Sequence, residues 1–142
     1  MKIKFKKLHP DAKIPQYAKY GDSGFDLSSI EDVRLSPMEY KLVDTGLACQ
    51  LFHGVEMQIR PRSGLAAKQG LSIVNSPGTI DSGYTGPLKV ILINLGNKDI
   101  NISKGDRIAQ GVIVPVLYVD IEETDTLQNT ERGVDGFGSS GK

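Results

Sequence analysis

INISKGDRIAQGVIVPVL, residues 100–117, sets two kinds of signal side by side. Ile100 and Ile102 alternate with polar neighbours, SKGD supplies turn residues, and an apolar, largely β-branched run follows from Ile108. Alternation with period two predicts a strand with one buried face, and a short β-branched run between turn signals predicts a more fully buried one. The same signature extends in both directions, through KIKFKKL, YKLVDTGLACQL, GVEMQIRP, LSIVNS, LKVILINL and LYVDIEE. Gly, Pro, Asn and Asp clusters punctuate these runs at HPDAKIP, YGDSG, LSPM, NSPG, DSGYTGP and LGNKD. Many short strands so separated predict an all-β sandwich, jelly roll or barrel. The best helical candidate is SGLAAKQG, residues 63–70, with Ser63 as its cap and Gly70 as its end.

A chain of 142 residues is long enough for one domain with a core and too short to expect two. Hydrophobic residues make up 39% and charged ones 24%, the balance of a globular protein. Seventeen basic residues match seventeen acidic ones, so the basic excess of a general nucleic-acid binder is missing. MKIKFKKLHP contains no continuous apolar run, which points to the cytosol and to no membrane partner. Cys49 lies among apolar neighbours and reads as a core residue; with only His9 and His53 beside it, no zinc-ligand spacing is present. From residue 123 the chain turns polar and Gly-rich, so a folded domain over 1–122 and a flexible tail over 123–142 are expected.

Five clusters carry chemistry. NSPGTIDSGYTGPLKVILIN, residues 75–94, reads as a hairpin, with Leu88, Val90 and Leu92 alternating on the return strand. Asp81 is also simply what turns prefer; with Tyr84 on glycine-lined backbone it would equally suit close approach to a flat ligand. In IRPRSGLAAKQG, Arg62 offers a planar fork for phosphate oxygens, and Ser63 and Gly64 offer donors at a helix start, although a surface Arg before an ordinary cap reads alike. The tail ERGVDGFGSSGK would wrap phosphates or serve as linker. Its GFGSSGK has most of the G-x-x-x-x-G-K spacing but lacks the Ser or Thr and the following helix of a P-loop. SGFDL places Asp26, and GDRIAQ places Gln110, in or beside apolar strands, where polar residues are most often structural.

In the order SGFDL, RPRSGLA, NSPGTIDSGY, KGDRIAQ and RGVDGFGSSGK, these clusters resemble the five motifs of the trimeric dUTPases. The resemblance implies a homotrimer of distorted β jelly rolls with active sites between subunits, closed by the C-terminal tail. It implies hydrolysis of dUTP to dUMP and pyrophosphate with Mg²⁺, limiting uracil in DNA and supplying dUMP for dTTP synthesis. By matching position, Asp81 would activate the attacking water and Tyr84 would pack on the deoxyribose. Asn75, Thr79, Ile80 and the Lys89 backbone would line the uracil pocket, while Arg62, Ser63, Gly64 and Gln110 would meet phosphates. Arg132, Gly138 and Ser139 would close on the nucleotide, Phe137 would stack on uracil, and Asp26 would sit near the metal through its waters. Gly83, Thr85 and Pro87 depart from the residues frequent in that family.

Two other readings stand beside it. A dCTP deaminase of related fold would need a glutamate on the strand after the hairpin, and PLKVILIN holds no acid. A non-catalytic β protein would leave the tail as mere linker.

Overall fold

A computed structural model describes residues 1–136. The strands run in the order β1 (Lys4–Lys7), β2 (Gly24–Ser28), β3 (Val33–Leu35), β4 (Tyr40–Gln50) and β5 (Val55–Arg60). Helix α1 (Ser63–Gln69) follows, then β6 (Leu71–Ile73), β7 (Gly78–Ile80), β8 (Pro87–Asn94), β9 (Ile100–Ile102) and β10 (Arg107–Pro115). They form a four-stranded sheet in the order β1-β4-β8-β6, a second in the order β2-β10-β5-β7, and a ribbon of β3 with β9. All the pairings are antiparallel. This is an all-β, jelly-roll-like sandwich with one short helix and unclosed sheets.

The inward parity of each strand fills the space between the sheets. Leu47, Leu88 and Leu92 come from one sheet and Leu27, Met57 and Ile108 from the other, all essentially inaccessible to water. Each such side chain contributes about 1.5–3 kcal/mol on burial. Cys49 belongs to this core, and burial pushes its thiol above the ordinary value. The longest strand, β4, changes register between Asp44 and Leu47. Gly46 sits at that irregularity with φ +66, and a Cβ there would come within 2.8 Å of Ile30. Glycine therefore permits the bulge that lets both halves of β4 face the core.

Three expectations need correction. The segment 75–94 is not a hairpin ladder: β7 pairs with β5 and β8 pairs with β4 and β6, so residues 81–86 cross from one sheet to the other. Alternation specifies which face a strand buries, not which strand it pairs with. The cap of α1 is Arg62, in extended conformation and without a side-chain capping bond; Ser63 is already the first helical residue. Gly70 does end the helix, with left-handed φ of 74. Finally, LYVDIEE forms no strand: β10 ends at Pro115, and Leu117, Tyr118, Val119 and Ile121 are exposed. Among the described residues their alternation meets no core face to bury against. No described helix is long and apolar enough to cross a membrane.

Candidate active site

Ten of the fifteen predicted residues gather in two separate clefts. The first, about 500 Å³, opens between β2, β10 and the start of α1, and includes Asp26, Arg62, Ser63, Gly64 and Gln110 in its lining. Strand register explains the grouping: Asp26 on β2 lies opposite Gln110 on β10, which lies opposite Arg60 at the end of β5, and the chain then turns through Arg62 into α1.

Asp26 stands between two guanidinium groups. Arg62 Nε forms an ion pair with its Oδ1 at 2.8 Å, and Arg107 Nη1 donates to its Oδ2 at 3.1 Å. Arg62 Nη1 also donates to the Arg107 carbonyl oxygen at 3.2 Å. The Gln110 amide donates to the Pro61 carbonyl oxygen at 2.9 Å, tying β10 to the turn that carries Arg62. Among the lining residues Arg62 and Lys68 balance Asp22 and Asp26, and Arg107 adds a positive charge beside Asp26 from outside the lining. The first turn of α1 adds N–H groups of the kind a helix leaves without partners. Cationic forks beside such donors suit phosphate oxygens.

Arg107 was not singled out from the sequence, although it lies in GDRIAQ. A cation three residues before Gln110, at the mouth of an otherwise apolar strand, was the available signal.

The second cleft, about 440 Å³, lies where β7 and β8 diverge, lined by Leu42, Thr79, Ile80, Asp81, Tyr84, Pro87 and Lys89. Because β7 ends its sheet, one edge of its backbone carries peptide groups not used in the ladder with β5. The turn is fixed by the Tyr84 N–H, which donates to the Asp81 carbonyl oxygen at 3.0 Å. The Tyr84 ring folds back over Gly86, where a Cβ would meet the phenolic oxygen at 2.7 Å, and its hydroxyl donates to the Pro87 carbonyl oxygen at 2.9 Å. Tyr84 remains 43% exposed, so part of the ring stays available as a flat platform.

Asp81 is exposed, and among the described residues no cation lies within 4.0 Å of its carboxylate and no donor bonds it. Such a group is free to accept a hydrogen bond from water. Lys89 Nζ is instead held 3.6 Å from Asp44 across β4 and β8. Leu42 was also missed: it is an apolar residue on the outward parity of β4, next to buried Val43.

The two clefts share no lining residue. Ile80 aligns with Met57 and Met57 with Ile113, so Asp81 lies two strands across and four residues along from Gln110. At ~4.8 Å per strand and ~3.3 Å per residue, their Cα atoms are ~16 Å apart. Asn75 is exposed in the turn before β7, outside the residues lining the second cleft. Arg132 lines neither cleft; its Nε donates to the Asp135 carbonyl oxygen at 3.2 Å. Phe137, Gly138 and Ser139 lie outside the described residues.

Comparison with known proteins gives one family. The dUTPase family model matches residues 10–141. The chain is 55% identical to the deoxyuridine 5'-triphosphate nucleotidohydrolase of Nautilia profundicola, over all of both chains. It is 56% identical to that of Hydrogenobaculum sp., covering 99% of each. Among solved structures, the Staphylococcus bacteriophage 80alpha dUTPase with dUPNHPP superposes with a TM-score of 0.92 at 30% identity, covering 99% of each chain.

Proposed function

The chain belongs to the dUTPase family, and from that membership we propose that it hydrolyses dUTP to dUMP and pyrophosphate by attack of water on the α-phosphorus. One observation carries the assignment of roles: Asp81, a carboxylate with no ion-pair partner among the described residues, stands beside an aromatic platform, Tyr84, in a groove flanked by an open strand edge. The free peptide groups of β7 suit the hydrogen-bonding edge of uracil. Cytosine, with an amino group in place of a carbonyl, would leave buried groups unpaired, a strong basis for discrimination. Thymine would fail sterically, its methyl group meeting the backbone. Asn75, Thr79, Ile80 and the Lys89 backbone are assigned to the base, Tyr84 to the deoxyribose, and Asp81 to orienting the attacking water and taking its proton.

The phosphates belong to the first cleft, with Arg62, Ser63, Gly64 and Gln110. A separation of ~16 Å between Asp81 and Gln110 within one chain favours a site shared by two copies, in which the groove of one faces the phosphate cleft of its neighbour. A homotrimer supplies that arrangement. The tail would close over the nucleotide, with Arg132, Gly138 and Ser139 at the phosphates and Phe137 on the base.

Magnesium fits as a companion of the substrate. One carboxylate oxygen of Asp26 accepts from Arg107 and the other is ion-paired with Arg62, so Asp26 suits contact through metal-bound water rather than direct ligation. Mg²⁺ keeps several waters and takes phosphate oxygens readily, and it would neutralise charge on the leaving pyrophosphate. In the cytosol, such an enzyme would limit uracil in DNA and provide dUMP for dTTP synthesis.

Turnover in ¹⁸O water tests the chemistry: label is expected in dUMP, and label confined to pyrophosphate refutes attack at the α-phosphorus. Asp81→Asn should retain nucleotide binding while losing turnover by roughly 10²- to 10⁴-fold. An unimpaired variant removes Asp81 from its role.

A further inference from the structure

From the arrangement around Asp26 we infer that Arg107 is a positioning residue for the phosphate cleft: by holding one oxygen of Asp26, it prevents that carboxylate from engaging both forks of Arg62. The inference rests on reading the first cleft as a phosphate subsite.

Arginine and carboxylate side chains favour a paired geometry with two parallel hydrogen bonds. Here that geometry is not formed. Arg62 Nε is ion-paired with Asp26 Oδ1 at 2.8 Å with no hydrogen-bonded fork between them, while Oδ2 accepts from Arg107 Nη1. The Arg107 carbonyl then accepts from Arg62 Nη1, so Arg107 touches both partners, one through its side chain and one through its backbone. A guanidinium has five N–H groups. One of those on Arg62 donates to the Arg107 carbonyl and its Nε faces Asp26, so the rest of the fork remains for phosphate.

Without the Arg107 side chain, Oδ2 of Asp26 would be free to turn to Arg62 and compete with phosphate for the same donors. Arg107 itself is not among the residues lining the cleft, although it borders the smaller recess beyond Arg62. Its effect therefore passes through Asp26 to Arg62 rather than directly to a ligand.

A double-mutant cycle tests this on the full-length protein. Binding of a non-hydrolysable imido analogue of dUTP is measured by calorimetry, with KM and kcat for dUTP measured in parallel. Arg62→Ala should weaken binding. Arg107→Ala should weaken it roughly tenfold in the parent chain, as expected for a lost charge-assisted hydrogen bond. The rise should appear in KM more than in kcat. In the Arg62→Ala background the same change should alter affinity by less than about twofold, because the residue being positioned is gone.

Equal losses in both backgrounds, or no loss in either, would overturn the inference. If Arg62→Ala alone left affinity unchanged, the phosphate reading would fail and the inference with it. Should Arg107→Ala not fold, Arg107→Met keeps an apolar stem but no donor for Asp26, and the same coupling with Arg62→Ala decides the matter.

Discussion

Replacing Gly86 by Ala should separate the shape of the groove from the stability of the fold. A Cβ at residue 86 would lie 2.7, 2.8 and 3.0 Å from Oη, Cζ and Cε2 of Tyr84. Ordinary carbon contacts are ~3.5–4.0 Å, so the ring must retreat by roughly 1 Å. That movement carries the hydroxyl beyond hydrogen-bonding reach of the Pro87 oxygen, now at 2.9 Å. Loss of one partly exposed bond costs about 1 kcal/mol, equivalent to a fall in Tm of about 3 °C. The functional effect should be larger. A ring that excludes a 2′-hydroxyl by shape discriminates by up to ~10², so the ratio of kcat/KM for dUTP over UTP should fall by roughly 10- to 100-fold. Steady-state assays with both nucleotides, together with a melting curve, measure the two effects. Tyr84→Phe is the control, since it loses the same hydrogen bond but retains the ring and should retain selectivity. If Gly86→Ala kept its dUTP preference within about twofold, or if Tyr84→Phe lost as much, the ring would not be the sugar filter.

Other parts of the molecule give further expectations. Asn94 is fully buried; it donates to the Leu35 and Lys98 carbonyl oxygens and accepts from the Gly96 N–H, so Asn94→Ala should cost about 3 kcal/mol and lower Tm by roughly 10 °C. A thermal melt checks this, and a loss below about 1 kcal/mol would show that water replaces the amide. Because burial raises the Cys49 thiol above its ordinary value, an aromatic disulfide reagent should label it in denaturant but not in the native state. Rapid native labelling would contradict the packing. Three carboxyls are held below the ordinary range: Asp11 by Lys104, Asp99 by Arg34, and Glu39 by the Ser36 N–H and then Lys41. Their stabilisation is present above the unfolded carboxylate value and is lost as pH falls through the lower folded values. Melting temperature should therefore decline below about pH 4, and less steeply in Asp99→Asn.

The strands were legible because burial follows residue parity. Leu88, Val90 and Leu92 point inward as their spacing requires, and Ile100 and Ile102 do the same in β9. Pairing was less legible. Nothing in the period of residues 78–94 distinguishes a return within one sheet from a crossing to the other, and the crossing is what opens the groove. Asp26, Arg62 and Gln110 could be named individually, yet their meeting depends on β2, β10 and β5 lying side by side, which is a product of long-range topology. Arg107 escaped notice for the same reason: only the folded chain shows that it and Arg62 share one carboxylate. Leu42 was visible as an exception to alternation, but its neighbourhood with Ile80 and Tyr84 was not.

The groove and the first cleft share no lining residue within one polypeptide, so a reaction centre built from both would give heredity and catalysis different units. Under the shared-site arrangement, each gene product lends one half to one reaction centre and the other half to another. A damaged copy would thus silence centres whose remaining parts come from sound neighbours. Two alleles crippled on opposite halves would, when mixed, rebuild some intact centres that neither encodes alone.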